Sequence, residues 1–186
     1  MSTTTETFFT PLTIANAPEA SKPTLERIKK TNGFVPNLMA VFANNPAVLQ
    51  GYVALDSAFE GGSFQPRERQ LILLATSVEN NCNYCTAAHS TVLKSVLRTP
   101  DEIVSAVRNN NTIPDRKLDA LVRLVKELVR ERGYASEETI RNFIAVGYKK
   151  EQVMELLLGI ALKTISNYLD HISPAPLDQA FAAEGK

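Results

Sequence analysis

Both cysteines of this 186-residue chain lie in one short stretch, ENNCNYCTAAHS (residues 79–90), together with one of its two histidines. If a helix begins near Cys82, the steps to Cys85 and on to His89 are rotations of about 300° and 400°, so all three side chains share one face. A helix N-terminus favours a thiolate, and a histidine one turn beyond a cysteine can accept its proton. The spacing therefore predicts a redox pair: an attacking sulfur, a resolving sulfur and a base.

Three other interpretations of this stretch remain open. In a zinc site, Cys82, Cys85 and His89 would supply three ligands, and His171 or a carboxylate the fourth. A structural disulfide would close so short a loop that it would constrain the unfolded chain little. The third interpretation is a pair of buried, inert cysteines. The helix end favours Cys82 as the more acidic thiol, whereas the nearby histidine favours Cys85, so the spacing alone does not choose between them.

A carboxylate beside the pair could relay protons, and the sequence has two candidates on one helix. Glu79 precedes Cys82 by three residues, at the corner between two helices, and is the best placed by proximity. Glu68, eleven residues earlier, shares its helix face, while Gln70 lies about 200° from Glu68 on the opposite face. Only one of these faces can point at the cysteines. Both acids also have simpler roles, Glu79 as a solvated charge and Glu68 as a partner of the helix dipole.

The elements that must position these residues are all helical, because apolar residues recur at helical spacing and no segment alternates as a strand would. Proline, glycine and asparagine divide the pattern into eight or nine helices of an antiparallel bundle. We expect helices over about residues 24–30, 38–42, 48–59, 66–80, 83–97, 100–108, 114–132, 136–147 and 149–171. The expected organisation is an extended N-terminal arm (1–22), one helical domain (23–173) with its core motif at 64–98, and a polar C-terminal tail (174–186).

The composition narrows the function classes. The 20 basic and 20 acidic side chains balance, so nothing indicates a nucleic-acid partner. The longest apolar run, Leu156–Leu162, is far shorter than a membrane span, and Met1–Thr10 lacks the pattern of a secretion signal. We therefore expect a cytoplasmic protein without a membrane partner. In that compartment a cysteine pair is more often catalytic or metal-binding than structural.

The motif NNCNYCTAAHS resembles that of the carboxymuconolactone decarboxylase and alkyl hydroperoxidase D-like superfamily. PRERQLILLATSVE before it and GFVPNL some 50 residues upstream strengthen the resemblance, which is closest over residues 64–98 and looser over 33–172. It implies an all-α, single-domain helical bundle of the alkyl hydroperoxidase D-like type, assembled as homotrimers or hexamers. For members with a Cys-x-x-Cys pair it implies reduction of hydroperoxides, with an external dithiol as electron donor and no bound cofactor or metal. The decarboxylase branch lacks the pair, which argues against that chemistry.

The resemblance also implies a role for each residue. Cys85 would attack the peroxide, Cys82 would resolve the sulfenic acid as a disulfide, and His89 would relay protons with a glutamate. Members with this activity usually carry that glutamate where this chain has Gln70, and an amide cannot act as a carboxylate base. We therefore expect Glu79 to take the role, or the activity to be weak. Further candidates for the relay or for lining the site are Glu68, Gln70 and Tyr84. The alternatives are a disulfide reductase and a non-catalytic, redox-sensing oligomer of the same fold.

Overall fold

A computed structural model describes residues 8–185, and within them the chain forms nine α-helices and no β-strand. The all-α prediction is confirmed. The helices are α1 Lys22–Asn32, α2 Asn37–Phe42, α3 Pro46–Glu60, α4 Pro66–Glu79, α5 Asn83–Thr91, α6 Asp101–Arg108, α7 Arg116–Arg130, α8 Glu137–Ala145 and α9 Gln152–Ile172. A π-helical turn, Val92–Val96, extends α5, and a 3-10 turn, Gln179–Glu184, lies near the C-terminus.

The helix starts lie where side chains can satisfy the first backbone N–H groups. The side chain of Asn45 accepts from two N–H groups of α3, and Ser136 accepts from Thr139 in α8. The helix expected to begin at Pro114 begins instead at Arg116, because the carboxylate of Asp115 accepts from the N–H groups of the first turn. Helix α9 begins at Gln152, since Lys150 and Glu151 before it lie in a turn that the N–H of Gln152 closes on the carbonyl of Lys149.

Helix α4 lies at the centre of the molecule, packed between α7 and α9. Leu71, Ile72 and Leu74 are fully buried on different sides of it. The sequence predicts this burial, because the middle two turns of α4 carry apolar residues all round. The cysteine motif follows α4 directly, so the most deeply buried helix fixes its position.

Close packing at the junction of α3, α4 and α9 depends on Gly159. A methyl group added there would lie 2.8 Å from Cζ of Phe59 and 2.9 Å from Cγ2 of Ile72, and both side chains are buried. Gly159→Ala is therefore expected to lower the free energy of unfolding by about 1 kcal/mol, because overpacking outweighs the gain in helix propensity. Gly51→Ala in α3 is the matched control. Nothing lies within 4 Å of its added methyl, so chemical denaturation should show a gain of about 0.5–1 kcal/mol.

The described part of the N-terminal arm and the C-terminal tail both pack on the helical domain. The N–H of Leu12 donates to the carbonyl of Ala40, and the N–H of Phe9 donates to Oγ of Ser173. The tail is less extended than its polar composition suggests, because Phe181 packs against the ring of Tyr84. Residues 1–7 of the expected arm lie outside the described residues.

Helix α9 distributes its polar and apolar residues in an unusual way. The side chains of Lys163, Ser166, Asn167 and Asp170 are buried, whereas Met154, Leu157, Ile165, Tyr168 and Ile172 are exposed. Although α9 has 21 residues, no helix in residues 8–185 is both long and apolar enough to cross a membrane. The buried polar face of α9 is directed towards the cysteine motif.

Candidate active site

A sharp corner between α4 and α5 places the two cysteines at a helix start. Asn80 ends α4, and Asn81 adopts the left-handed conformation (φ 59°), which asparagine tolerates better than most residues. Cys82 then precedes the first residue of α5, and its sulfur accepts the N–H of Cys85 at 3.4 Å. This is the helix start at which the spacing of the motif predicts the pair.

Both thiols are reduced and almost wholly buried, Cys82 being 1% and Cys85 2% exposed. Their apolar surroundings come from α2 and α3, including Leu38, Phe42 and Leu49. A charge on either sulfur would be costly here without a partner. The groups facing each sulfur therefore decide which of them ionises.

Cys82 lies beside a carboxylate, and its sulfur is 3.4 Å from Oδ2 of Asp170 on α9. Its pKa is raised above the ordinary value, chiefly by the hydrogen bond that it donates to Cys85 and then by burial. The negative charges of Cys85 and Asp170 act in the same direction. Cys82 is therefore the protonated member of the pair.

Cys85 has the opposite environment. The hydrogen bond from Cys82 is the largest influence, and the ammonium of Lys163 adds to it. Together they outweigh burial and lower the pKa of Cys85 from 9.0 to about 6. Burial alone would lower the pKa of Lys163, but the negative charge of the Cys85 thiolate raises it, so this 2% exposed lysine keeps its proton. The arrangement is a buried thiolate and ammonium pair.

His89 is held by the residue that stands in place of the usual glutamate. Its Nδ1 is 2.9 Å from Oε1 of Gln70. With an amide oxygen facing the ring, Nδ1 carries the hydrogen and Nε2 carries the lone pair. Burial, followed by the charge of Lys163, lowers the pKa of His89 well below 6.5. Gln70 thus orients a neutral imidazole that can accept a proton, although an amide cannot accept the proton in turn.

The two acidic residues of α4 lie on the other side of the helix. Nine residues separate Gln70 from Glu79, a rotation of about 180°. The carboxylate of Glu79 pairs with Nε of Arg130 on α7 at 2.9 Å. Glu68 accepts from the hydroxyl of Tyr148 at 2.9 Å. Glu79 is close to Cys82 in sequence, but its side chain points away from the cysteine helix. The face of α4 that contacts His89 is the face that carries Gln70.

Sequence reasoning missed two residues that face the sulfurs, Lys163 and Asp170. They are seven residues apart on α9 and therefore share one face, together with the buried side chains of Ser166 and Asn167. A signal for them exists in the sequence, because these four residues form a polar stripe along an otherwise apolar helix. A polar stripe on a helix that also carries an apolar face is normally interpreted as the side that faces solvent. Sequence analysis therefore does not detect a polar site that is buried.

Tyr84, between the two cysteines, connects the site to the C-terminal tail. Its hydroxyl donates to the carboxylate of Asp178 and accepts the N–H of Leu38 at 3.3 Å. Burial, followed by the hydrogen bond to Asp178, raises the pKa of Tyr84. Tyr84 therefore remains a neutral hydroxyl, and it fixes the tail and α2 beside the cysteine helix.

Two cavities are lined by residues that contact the site. One of about 150 Å³ borders Gln70, and its apolar walls include Phe59 and Leu73. The other, of about 340 Å³, borders Tyr84 and Asp170. Cys82, Cys85 and His89 line neither cavity, but Gln70 contacts His89 and Asp170 contacts Cys82.

The zinc interpretation would need a fourth ligand beside the motif. Residues 8–185 contain no group of three or more His, Cys, Asp or Glu side chains placed to hold a metal. His171, one candidate for the fourth ligand, is exposed and stacks on the ring of Tyr168. Its ring therefore lies on the outer side of α9.

The profile of the carboxymuconolactone decarboxylase family matches residues 46–127, which include the whole cysteine motif. A structure of a peroxidase-related protein from Ralstonia eutropha JMP134, described as having an alkylhydroperoxidase AhpD core, superposes with a TM-score of 0.83. It is 22% identical, and the match covers 94% of each chain. Over residues 46–127 the chain therefore matches the carboxymuconolactone decarboxylase family, and its fold is similar to that of the alkylhydroperoxidase AhpD core. Its all-α fold is the fold that the motif predicts.

Other structures with a similar fold belong to proteins with different descriptions. A peroxidase-related protein from Silicibacter sp. TM1040 has a TM-score of 0.80 and 18% identity over 97% of each chain. The debrominase Bmp8, in a cysteine-to-alanine variant bound to 2,3,4-tribromopyrrole, has a TM-score of 0.80 and 18% identity over 97% of this chain and 96% of its own. No curated protein matches the sequence. At these identities the similarity shows a shared fold, and the activity of this chain has to be argued from its own site.

Proposed function

We propose that the chain is a thiol-dependent hydroperoxide reductase in which Cys85 is the attacking thiol. The observation that carries the proposal is the pairing of Cys85 with the Lys163 ammonium and the Cys82 S–H, which lowers the pKa of Cys85 to about 6. A thiolate is the nucleophilic form of cysteine, so Cys85 is poised to react near neutral pH. Cys82, whose pKa is raised, is suited to act second.

The first step is attack of the Cys85 thiolate on the outer oxygen of a hydroperoxide, ROOH. An S–O bond forms as the O–O bond breaks, giving a sulfenic acid and an alkoxide that takes up a proton and leaves as ROH. In the second step the sulfur of Cys82 displaces hydroxide from the sulfenic acid and closes the disulfide. The proton of Cys82 leaves with that hydroxide as water.

His89 is proposed to handle the protons of this sequence. Its Nε2 lone pair can accept a proton from the incoming hydroperoxide or from Cys82, and the imidazolium can then donate it to the leaving oxygen. Lys163 would stabilise the negative charge that moves from sulfur to oxygen. Gln70 would hold the ring in position through Nδ1.

Return to the starting state requires two electrons, which we assign to an external dithiol. One thiolate of the donor attacks one sulfur of the Cys82–Cys85 disulfide and forms a mixed disulfide. The second thiol of the donor then attacks the mixed disulfide, which frees the protein cysteine and leaves the donor oxidised to its own disulfide. The dithiol would approach from the cavity beside Asp170 and Tyr84, since Asp170 contacts Cys82. The cavity beside Gln70 would then serve the hydroperoxide.

The proposal is tested by following consumption of tert-butyl hydroperoxide with dithiothreitol as donor. Sustained turnover supports the reductase. A single equivalent of peroxide consumed per chain, with disulfide formation but no turnover, would favour a redox sensor instead. Reduction of protein disulfides without peroxide consumption would favour a disulfide reductase.

Reductive debromination is a second candidate, because a thiolate can attack a halogen as it attacks a peroxide oxygen. Cys85 would take a bromine atom from carbon, which takes up a proton. Cys82 would then displace bromide to form the same disulfide. The dithiol site of this chain and the fold it shares with the debrominase Bmp8 support testing it. Bromide release from 2,3,4-tribromopyrrole, at a rate above that of peroxide consumption, would favour this candidate.

Gln70→Leu is expected to reduce peroxide turnover roughly tenfold or more, because His89 loses the hydrogen bond that orients its ring. Glu79→Gln is the matched control on the same helix and should leave turnover within about twofold, since its carboxylate pairs with Arg130. Steady-state rates at pH 7 measure both. A large loss in the Glu79 variant with little loss in the Gln70 variant would restore Glu79 as the relay.

A further inference from the structure

Oxidation of the cysteine pair by a hydroperoxide consumes one proton more than the reactants carry. Cys82 brings one hydrogen on sulfur and the hydroperoxide brings one on oxygen, whereas Cys85 enters as a thiolate. The products, ROH and water, contain three hydrogens bound to oxygen. Under the proposed function, on which this inference rests, one proton therefore has to enter the site in every turnover. The first step needs it, because the alkoxide leaves as ROH.

The groups nearest the thiolate hold no proton that they can give up. His89 can pass on a proton that it receives, but burial lowers its pKa well below 6.5, so it enters the reaction neutral. Lys163 keeps its proton, because the charge of the thiolate raises its pKa. Glu68 and Glu79 lie on the other side of α4. This leaves the cavity beside Gln70, which the proposed function assigns to the hydroperoxide, as the place of the donor.

Asp56 places a carboxyl group in this cavity from α3. It lines the cavity of about 150 Å³ together with Gln70 and the apolar side chains of Phe59 and Leu73. Asp56 is half-buried. It takes part in none of the ion pairs found in residues 8–185, so no cation holds it in the ionised form. Its carboxyl group can therefore gain and lose a proton without breaking a structural contact of that kind.

Four titratable groups act on the charge of Asp56. Glu60 and Tyr52 share its helix, whereas Arg69 of α4 and Lys163 of α9 act from neighbouring helices. Burial, followed by the negative charge of Glu60, raises the pKa of Asp56 from 3.8 to about 6, and the two cations act in the opposite direction. Roughly one Asp56 in ten then carries a proton at pH 7, against about one in a thousand for an ordinary aspartate.

Asp56 is linked to the sulfurs through Lys163. The ammonium of Lys163 lowers the pKa of Cys85, and its charge also acts on Asp56, so both groups interact with the same cation. Gln70, which lines the same cavity, holds His89 at 2.9 Å. A hydroperoxide in this cavity would contact both the carboxyl group of Asp56 and the residue that holds His89.

We infer that Asp56 donates the proton that the leaving alkoxide takes up, and that solvent returns a proton to the carboxylate between turnovers. The O–H bond of the Asp56 carboxyl group breaks and a new O–H bond forms on the departing oxygen, as the O–O bond of the hydroperoxide breaks. An alkoxide is a far stronger base than a carboxylate, so the transfer is favourable and attack by Cys85 remains the slow step. His89 is left to carry the proton of Cys82 to the hydroxide that departs in the second step.

Asp170 is the carboxyl group closest to Cys82, and it suits this role less well. It lies 3.4 Å from the sulfur of Cys82 and accepts the N–H of Ala175. It lines the other cavity, from which the dithiol would approach. A proton delivered there reaches the resolving sulfur and not the alkoxide.

The first test compares two peroxides with different leaving groups. tert-Butyl hydroperoxide releases an alkoxide, which needs a proton, whereas peracetic acid releases acetate, a weak base that leaves without one. In a single turnover at pH 7, Asp56→Asn should be oxidised about fivefold more slowly than the wild type by tert-butyl hydroperoxide. With peracetic acid the two rates should agree within about twofold, because acetate needs no donor. Loss of free thiol measures the rates, and a structural effect of the substitution would lower both alike.

The second test replaces the missing donor with a small molecule. Imidazole is partly protonated at pH 7 and smaller than the cavity, so adding it should raise the rate of Asp56→Asn with tert-butyl hydroperoxide and leave the wild type unchanged. Glu26→Gln is the matched control, since Glu26 is exposed on α1. It should show wild-type rates with both peroxides and no response to imidazole. Circular dichroism of each variant verifies that it is folded.

Equal rates of the wild type and Asp56→Asn with tert-butyl hydroperoxide would overturn the inference and leave the proposed function standing. Equal losses with both peroxides, without recovery in imidazole, would do the same, because Asp56 would then have a structural role. A wild type that reacts with neither peroxide would overturn the proposed function, and the role of Asp56 with it.

Discussion

Replacing Cys85 with serine is expected to abolish hydroperoxide turnover, with a loss of at least about 10³-fold at pH 7. The serine hydroxyl fills nearly the same space but remains protonated, so the Lys163 ammonium faces no nucleophile. The measurement is consumption of tert-butyl hydroperoxide with excess dithiothreitol. The loss should appear in the rate constant of the chemical step rather than in the affinity for peroxide.

The Cys82→Ser variant distinguishes the roles of the two sulfurs. Its Cys85 retains the cation of Lys163 but loses the S–H hydrogen bond that most lowers its pKa. We expect one oxidation event per chain at a reduced rate, followed by arrest, because no second sulfur can close the disulfide. Equal turnover by the wild type and the Cys85 variant would contradict the proposed function, as would full turnover by the Cys82 variant.

Lys163→Met is expected to give the second largest effect. Methionine has a similar volume, so the core remains filled while the charge is lost. The Cys85 thiolate would then be a buried anion without its cation, and its pKa should rise by about two units. The fraction of thiolate at pH 7, and with it the rate, should fall roughly tenfold.

The pH profile reveals the cause of this loss. In the wild type the pKa of Cys85 is about 6, so the rate should hold at neutral pH and fall as the pH drops through that value. In the Lys163 variant the same fall should begin at higher pH, with full activity regained only in alkaline solution. The ultraviolet absorbance of the thiolate during a pH titration follows the shift directly.

Lys126→Met is the matched control for this experiment. Lys126 is also buried, but its ammonium donates to the carbonyl of Val107 at 2.7 Å, within a different part of the core. Its loss can reduce stability, yet the pH midpoint of the reaction should remain unchanged. Equal shifts in both variants, or none in Lys163→Met, would show that Lys163 does not stabilise the thiolate.

The order of the helices could be predicted because the residues that start and end a helix are found in short local segments of the sequence. Pro66 begins a helix as expected, the helix expected from about residue 48 begins at Pro46, and the spacing of Cys82 and Cys85 predicts a helix start at which the structure places them. Such features depend on the conformation of a few consecutive residues. They need no knowledge of how the helices pack.

The partners of the cysteines could not be predicted in the same way. The rotation between Gln70 and Glu79 assigns them to opposite faces of α4 but does not say which face meets α5. Lys163 and Asp170 are distant from the cysteines in sequence. Their helix, α9, is amphipathic, but its sequence does not indicate whether the polar or the apolar side faces the core. Only packing determines that its polar side is inside.

The central claim is that Cys85 is oxidised first and Cys82 resolves it. The most direct test is the intact mass of the two single-cysteine variants after one equivalent of hydroperoxide. The Cys82→Ser chain is expected to gain the mass of one oxygen atom on Cys85, whereas the Cys85→Ser chain remains unmodified. The wild type should lose two hydrogen atoms as its disulfide closes. An added oxygen on the Cys85→Ser chain, with an unmodified Cys82→Ser chain, would show that the roles of the two sulfurs are reversed.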